Sequence, residues 1–145
     1  MQELDTLQKG VIGRTKIIAD LTAQGFEVNL PVSESLSYDM IVHKDGKFLR
    51  IQARYISLRN GVIRMAFRTV HQNRQGNVLR QTDKNLIDIF AVYCPDVDRC
   101  FYVDPKEFGS SCWLRVVPSP IKGDKYNLAE DYSKLLVAKT GFEPA

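Results

Sequence analysis

Nowhere in the 145-residue chain do about 18 uncharged apolar residues run together, so no membrane-spanning helix is expected. The opening MQELDTLQKG holds acids and no apolar block, which argues against an export signal. Cysteine is scarce: Cys94, Cys100 and Cys112 are an odd set with neither CxxC nor Cys/His spacing. That excludes a disulfide framework and a zinc site, and it suits a soluble protein of the reducing cytoplasm. Internal repeats, low-complexity tracts and breaks in composition are also lacking, so residues 1–145 are expected to form a single domain. With 44% hydrophobic residues, a chain of this length can bury a core without staples.

Acid is nearly missing from the middle of the chain. Nine of the 20 lysines and arginines lie between Lys44 and Arg80, where Asp45 is the single acid, a surplus of eight positive charges. The rest carries 11 basic against 16 acidic residues, so a net charge of +3 conceals strong segregation. Such a block suits a polyanion, whose phosphates it would neutralise with release of counterions. A solvated basic sheet edge is the alternative reading.

Apolar residues at Leu4, Leu7, Val11, Ile18 and Leu21 recur at helical spacing, predicting a helix that Gly25 stops and that Gly10 and Gly13 weaken. Arg14 falls on the same stripe, so it should point into the interior or a cleft, unless it snorkels to water. A strand over Phe26–Leu30 follows. Next come two alternating segments on either side of Asp45-Gly46, a strong signal for a tight hairpin turn. A tight turn fixes the register: Lys44 opposite Lys47, Val42 opposite Leu49, Met40 opposite Ile51 and Asp39 opposite Gln52. One face then reads Tyr38, Met40, Val42, Leu49, Ile51 and Ala53, suited to burial. The other gathers Asp39, Gln52 and Arg54 at one end, either as a reactive constellation or as a solvent-facing hydrogen-bonded patch.

Asn60-Gly61 signals another turn and a third strand over Val62–Thr69, but a tight turn would put Arg64 and Arg68 on the buried face, so a bulge, longer loop or twist must intervene. Residues 71–82 read as a polar loop or a protruding ribbon. Leu86–Tyr93 is a central-strand candidate, with two more strands at Phe101–Val103 and Trp113–Val117. Asn127, three residues before Glu130, begins an expected C-terminal helix with Leu128, Tyr132, Leu135 and Leu136 on its apolar face. The sum is an α/β domain of the α+β kind, a mixed sheet with an N-terminal and a C-terminal helix.

The runs GFEVNLPVSESLSYDMIVHKDGKFLRIQAR and DIFAVYCPDVDRCFYVDP resemble the group I intron-encoded homing endonucleases of the PD-(D/E)XK nuclease superfamily over roughly Val11 to Pro105. The short acidic motif alone is weak; the long run in the right order is stronger. The resemblance implies a restriction-endonuclease-like core and metal-dependent cleavage of both strands of duplex DNA at a long site. It implies Asp39, Gln52 and the carbonyl of Ala53 as ligands of Mg2+ or Mn2+, oxygen donors that a hard cation accepts alongside water. It also implies self-association, as a dimer or tetramer, to read a long target.

Two positions depart from the family pattern: Arg14 stands where glutamate is usual and Arg54 where lysine is usual. Both add positive charge near the expected ion, and a guanidinium does not give up a proton. The chain is therefore expected to be impaired, or, as the alternative, a non-catalytic sequence-specific DNA-binding protein on the same fold. An RNA-binding module would need stacking aromatics, which Phe48 and Phe67 alone do not establish. Arg50, Arg59, Arg64, Arg68, Arg74 and Arg80 are expected to face DNA phosphates, with Gln72, Asn73, Arg74 and Gln75 reaching base edges.

Overall fold

The computed structural model describes residues 3–73, 76–81 and 83–136. Helix α1 (Thr6–Ala23) opens on a capping box: Asp5 Oδ1 accepts the Gln8 amide at 2.7 Å and Gln8 Oε1 accepts the Asp5 amide at 2.9 Å. Such a cap is worth about 1 kcal/mol. The helix ends at Gly25, whose φ of +94° lies in the left-handed region. Strand β1 (Glu27–Asn29) leads through a polar loop to β2 (Met40–Lys44) and β3 (Lys47–Tyr55). Asp45 and Gly46 both take positive φ, and the register is Lys44 opposite Lys47, Val42 opposite Leu49 and Met40 opposite Ile51, as the tight turn requires.

The chain then leaves this sheet. Asn60-Gly61 turns with positive φ at both residues but closes only a single bridge, Arg59 to Val62. Strand β4 (Val62–Ala66) does not pair with β3, and the reason is geometric. Both edges of β3 are already taken, one by β2 and the other in parallel by β7 (Ile89–Cys94). Between β4 and β7, β5 (Arg68–Asn73) and β6 (Gly76–Gln81) form a two-stranded antiparallel ribbon. Strand β8 (Arg99–Val103) returns antiparallel to β7, completing a five-stranded sheet ordered β1-β2-β3-β7-β8. After a 3-10 turn at Pro105–Glu107, β9 (Ser111–Arg115) pairs with β4 and with β10 (Asn127–Leu128) in a separate three-stranded sheet.

Two cores result. Ile17 and Leu21 of α1 cover one face of the five-stranded sheet, meeting Met40, Val42, Leu49, Ile51, Ile89 and Ala91. On the opposite face Phe90, Val92 and Phe101 meet Ile63, Met65 and Leu114 of the second sheet. All six residues of β7 are buried, the pattern of a strand covered on both sides. Tyr38, expected beside Met40 and Val42, instead packs against the second core, because it precedes the strand and its alternation.

The buried stripe of α1 differs from the expected one. It runs through Gly13, Ile17 and Leu21, while Leu4, Leu7 and Val11 are exposed, Leu7 at 78%. Gly13 sets this rotation by allowing a close approach to β3: an added Cβ would lie 3.2 Å from Tyr55 Cβ and 3.3 Å from the Arg54 carbonyl oxygen. The C-terminal helix is also corrected. Asn127 and Leu128 pair in parallel with Leu114 and Arg115, and only Ala129–Tyr132 form a single 3-10 turn. The Asn127 side-chain Nδ2 donates to the Trp113 carbonyl at 3.5 Å, which turns that side chain toward β9, and the Leu135 backbone amide, which would continue a helix, donates to Gln24 Oε1 of the α1 cap at 2.9 Å. Residues 137–145 lie outside the described residues.

Replacing Gly10 by alanine is expected to stabilise the fold by about 1 kcal/mol through helix propensity, since a Cβ there meets nothing within 4 Å. Gly13→Ala carries the same propensity gain but drives a methyl against β3, so a net loss is expected. Urea unfolding midpoints moving in opposite directions check the pair; equal gains would show that α1 lifts off β3 freely.

Candidate active site

Asp39 stands one residue before β2, at the end of its ladder with β3. Its backbone amide donates to the Ile51 carbonyl at 2.8 Å, so it shares Ile51 with Met40 instead of taking the expected place opposite Gln52, and the regular register ends at the Met40–Ile51 pair. Its carboxylate is used locally as well: Oδ2 accepts the Ala53 amide at 2.7 Å. The side chain is thereby fixed against β3, with Oδ1 accepting no hydrogen bond among the described residues.

Gln52 is the one buried polar residue among those described, at 5% exposure, and its Oε1 has no hydrogen-bond partner. It pairs in register with Phe90, on the second-core side of the sheet. An unpartnered buried acceptor is costly, typically about 1–3 kcal/mol. Such a cost is tolerated where an atom awaits a ligand.

Arg54 is half-buried. Its Nη1 donates to the Ala53 carbonyl at 2.9 Å, and its guanidinium carbon lies 5.4 Å from the centre of the Phe90 ring. Burial pulls the guanidinium below its ordinary value, opposed by the Asp39 carboxylate, which favours the charged form. Asp39, Gln52 and Arg54 thus come together across two neighbouring strands. Arg14 does not turn inward: it is exposed, one residue beyond Gly13, where α1 rests on the Arg54 carbonyl. The rotation set by Gly13 carries position 14 off the buried stripe.

The donor set can be weighed for a divalent ion. Asp39 Oδ1 and the orphaned Gln52 Oε1 are two hard oxygens on adjacent strands, which suit such an ion with water completing its shell. The Ala53 carbonyl, the third expected ligand, is already held by Arg54. No cluster of three His, Cys, Asp or Glu occurs among the described residues.

The expected DNA-facing residues are placed unevenly. Arg50 is engaged by Asp88, with Nε to Oδ2 at 3.1 Å and Nη2 to Oδ1 at 3.2 Å, and this pairing holds its guanidinium above its ordinary value. Arg59 and Arg64 are exposed. The side chains of Arg68, Gln72, Asn73 and Arg80, and Arg74 and Gln75 altogether, lie outside the described residues. Phe67 is fully buried and offers no ring to a base, while Phe48 is stacked on His43 at 4.3 Å and stays 55% exposed. Asp88 was not anticipated, although a lone acid in Leu86-Ile87-Asp88-Ile89 was a visible signal. Its Oδ2 accepts the Arg50 amide at 2.7 Å while its own amide donates to the Arg50 carbonyl at 2.9 Å, so it locks the start of the parallel β3–β7 pair.

Comparison with known proteins bears on the family and the fold. The family described as PD-(D/E)XK endonuclease matches residues 4–135. Among solved structures, that of a bacterial homing endonuclease, I-Ssp6803I, is similar with a TM-score of 0.68 at 21% identity, covering 89% of this chain and 88% of that one. No curated protein matches the chain.

Asp88→Ala is expected to cost about 2 kcal/mol or more, because it leaves a half-buried guanidinium without its carboxylate and a strand amide without its acceptor. Arg50→Met should cost less, since Asp88 keeps the backbone amide. Urea unfolding of the two variants checks the order, and the reverse order would show that the ion pair outweighs the ladder contact.

Proposed function

The chain belongs to the PD-(D/E)XK endonuclease family, and on that premise we propose that it is a site-specific double-strand DNA endonuclease of the intron-homing kind, impaired by Arg54 and Arg14. The carrying observation is the buried Gln52 Oε1, unpartnered among the described residues and next along β3 to the Ala53 amide that holds the Asp39 carboxylate. These two would hold the divalent ion, Mg2+ or Mn2+, which when bound polarises the scissile phosphate and activates water. The chain's own residues do the rest. The Ala53 amide orients Asp39, Phe90 walls the site, and Arg54 presents a fixed positive charge to a phosphate. Arg54 stabilises an anionic transition state but is unfit to exchange protons. We take residues 1–145 as one nuclease domain, self-associating as a dimer or tetramer to span a long site.

A second reading, a DNA-binding protein without cleavage, is favoured by one contact: the Arg54 guanidinium sits on the Ala53 carbonyl that the ion would use.

Arg14→Glu with Arg54→Lys is expected to create or greatly raise cleavage of a long duplex library in Mg2+, with none in chelator and with retained DNA unchanged. Because Arg14 is exposed and screened, Arg54→Lys alone should supply most of the gain. Cut ends and retained complex are scored separately. Vigorous cleavage by the unaltered chain would refute the impairment, and binding without cleavage by every variant would establish the second reading.

A further inference from the structure

The outer face of the second sheet carries an arrangement that the proposed active site does not use. Strand β9 alternates throughout and β4 alternates from Ile63 on, Val62 alone being buried out of turn. Ile63, Met65, Cys112 and Leu114 point into the core, each at most 2% exposed, while Arg64 and Trp113 face out. Arg64 pairs directly with Trp113, and Arg115 pairs with Val62. That register makes Arg64 and Arg115 diagonal neighbours on one surface. Trp113 is 54% exposed, and the Arg64 guanidinium lies over its ring at 4.5 Å. Arg115 repeats the device: its guanidinium stands 5.6 Å from the Tyr126 ring while its Nε donates to the Val117 carbonyl at 3.1 Å.

Each aromatic ring therefore fixes a guanidinium instead of burying itself. Neither arginine has a carboxylate partner among the described residues, in contrast to Arg50 with Asp88 and Arg99 with Glu130. Stacking leaves the guanidinium's terminal Nη donors at its edge, the Arg115 Nε being taken by Val117, and removes much of the rotamer entropy that a phosphate contact would otherwise cost. Nearby charge has the same sign: the loop from Val116 to Tyr126 carries Lys122 and Lys125 against a single acid, Asp124. A second copy of the chain meeting this face across a twofold axis would bring like charges together. A polyanion meets no such penalty. The face is also continuous with the basic ribbon, because β4 runs through the single residue Phe67 into β5.

We infer that the outer face of β4 and β9 is a phosphate-backbone binding surface for duplex DNA, with Arg64 and Arg115 as contacting groups and Trp113 and Tyr126 as the rings that position them. It rests on the reading of the chain as a DNA-binding endonuclease, and it places a contact surface on a sheet separate from the one that carries Asp39 and Gln52.

Trp113 is the chain's single tryptophan, so its emission reports this face alone. The unaltered chain is titrated at low salt with a long duplex of mixed sequence, following both gel retention and acrylamide quenching of Trp113. Duplex binding is expected to shield Trp113 and lower the quenching constant. Arg64→Ala with Arg115→Ala is expected to flatten the dependence of log K on log salt by about 2, since each lost phosphate contact removes about 0.9. Both sites are on the surface, so an unchanged melting curve confirms that the variant is folded. Retention of duplex with Trp113 fully quenchable and an unchanged salt slope overturns this surface while leaving the endonuclease reading intact. Failure of the unaltered chain to retain any duplex overturns both. Shielding that depends on protein concentration without DNA assigns the face to a second copy, and shielding by single strands alone assigns it to unpaired bases; either overturns the inference.

Discussion

Six consecutive residues of β7 are buried, and their alternation sends Ile89, Ala91 and Tyr93 to one core and Phe90, Val92 and Cys94 to the other. A strand with two apolar faces is stable only between two covering layers. Helix α1 supplies one and the β4–β9 sheet the other. Its parallel pairing with β3 imposes a second constraint, since a parallel neighbour cannot be reached by a tight turn. The chain must make a long excursion between them, and that excursion is residues 56–88, which hold β4, β5 and β6. Most of the basic block falls within it. The charge segregation seen in the sequence thus follows topology in part: five of the nine basic residues of the block lie in the crossover, whose strands are free of the five-stranded sheet, and four lie on the β2–β3 hairpin.

The same constraint explains the character of the candidate site. Gln52 is buried because its partner Phe90 belongs to the doubly covered strand, while Asp39 lies at the end of the β2–β3 hairpin where cover thins. A polar group held in that position cannot be satisfied by bulk water. Asp88 meets a related problem at the start of the parallel pair by turning its carboxylate back onto the Arg50 amide.

Much of this was legible in the sequence. Asp45-Gly46 fixed the β2–β3 register to the residue, because a primed two-residue turn leaves no freedom and both strands alternate. That register brought Asp39 to the end of β3 near Ala53 and Arg54, although its amide turns to Ile51 and not to the expected partner Gln52. What escaped was decided by contacts distant in sequence. The stripe of α1 followed Gly13 and its approach to Arg54, not the periodicity of Leu4, Leu7 and Val11. The Asn127 helix signal was outweighed by pairing with β9, and β4 sought β9 because β3 had no free edge. The Arg64–Trp113 stack depends on a cross-strand pairing between residues nearly fifty positions apart, which no local pattern announces.

Arg54 shows what a guanidinium, as opposed to an ammonium, can do at such a position. Its guanidinium is partly desolvated, so its charge is held at some cost, and its only hydrogen bond among the described residues goes to a neutral carbonyl. A DNA phosphate is a far better acceptor than the Ala53 oxygen, since both partners of that contact are charged. Duplex bound at the site would therefore draw Arg54 from the carbonyl toward the phosphate and leave the Ala53 oxygen open. By linkage, whatever then binds that oxygen must strengthen DNA binding by the same factor. Lysine at 54 meets a phosphate as a compact point charge, without the planar fork that now spans carbonyl and ring, so that coupling is a property of arginine at this position and weakens with its replacement.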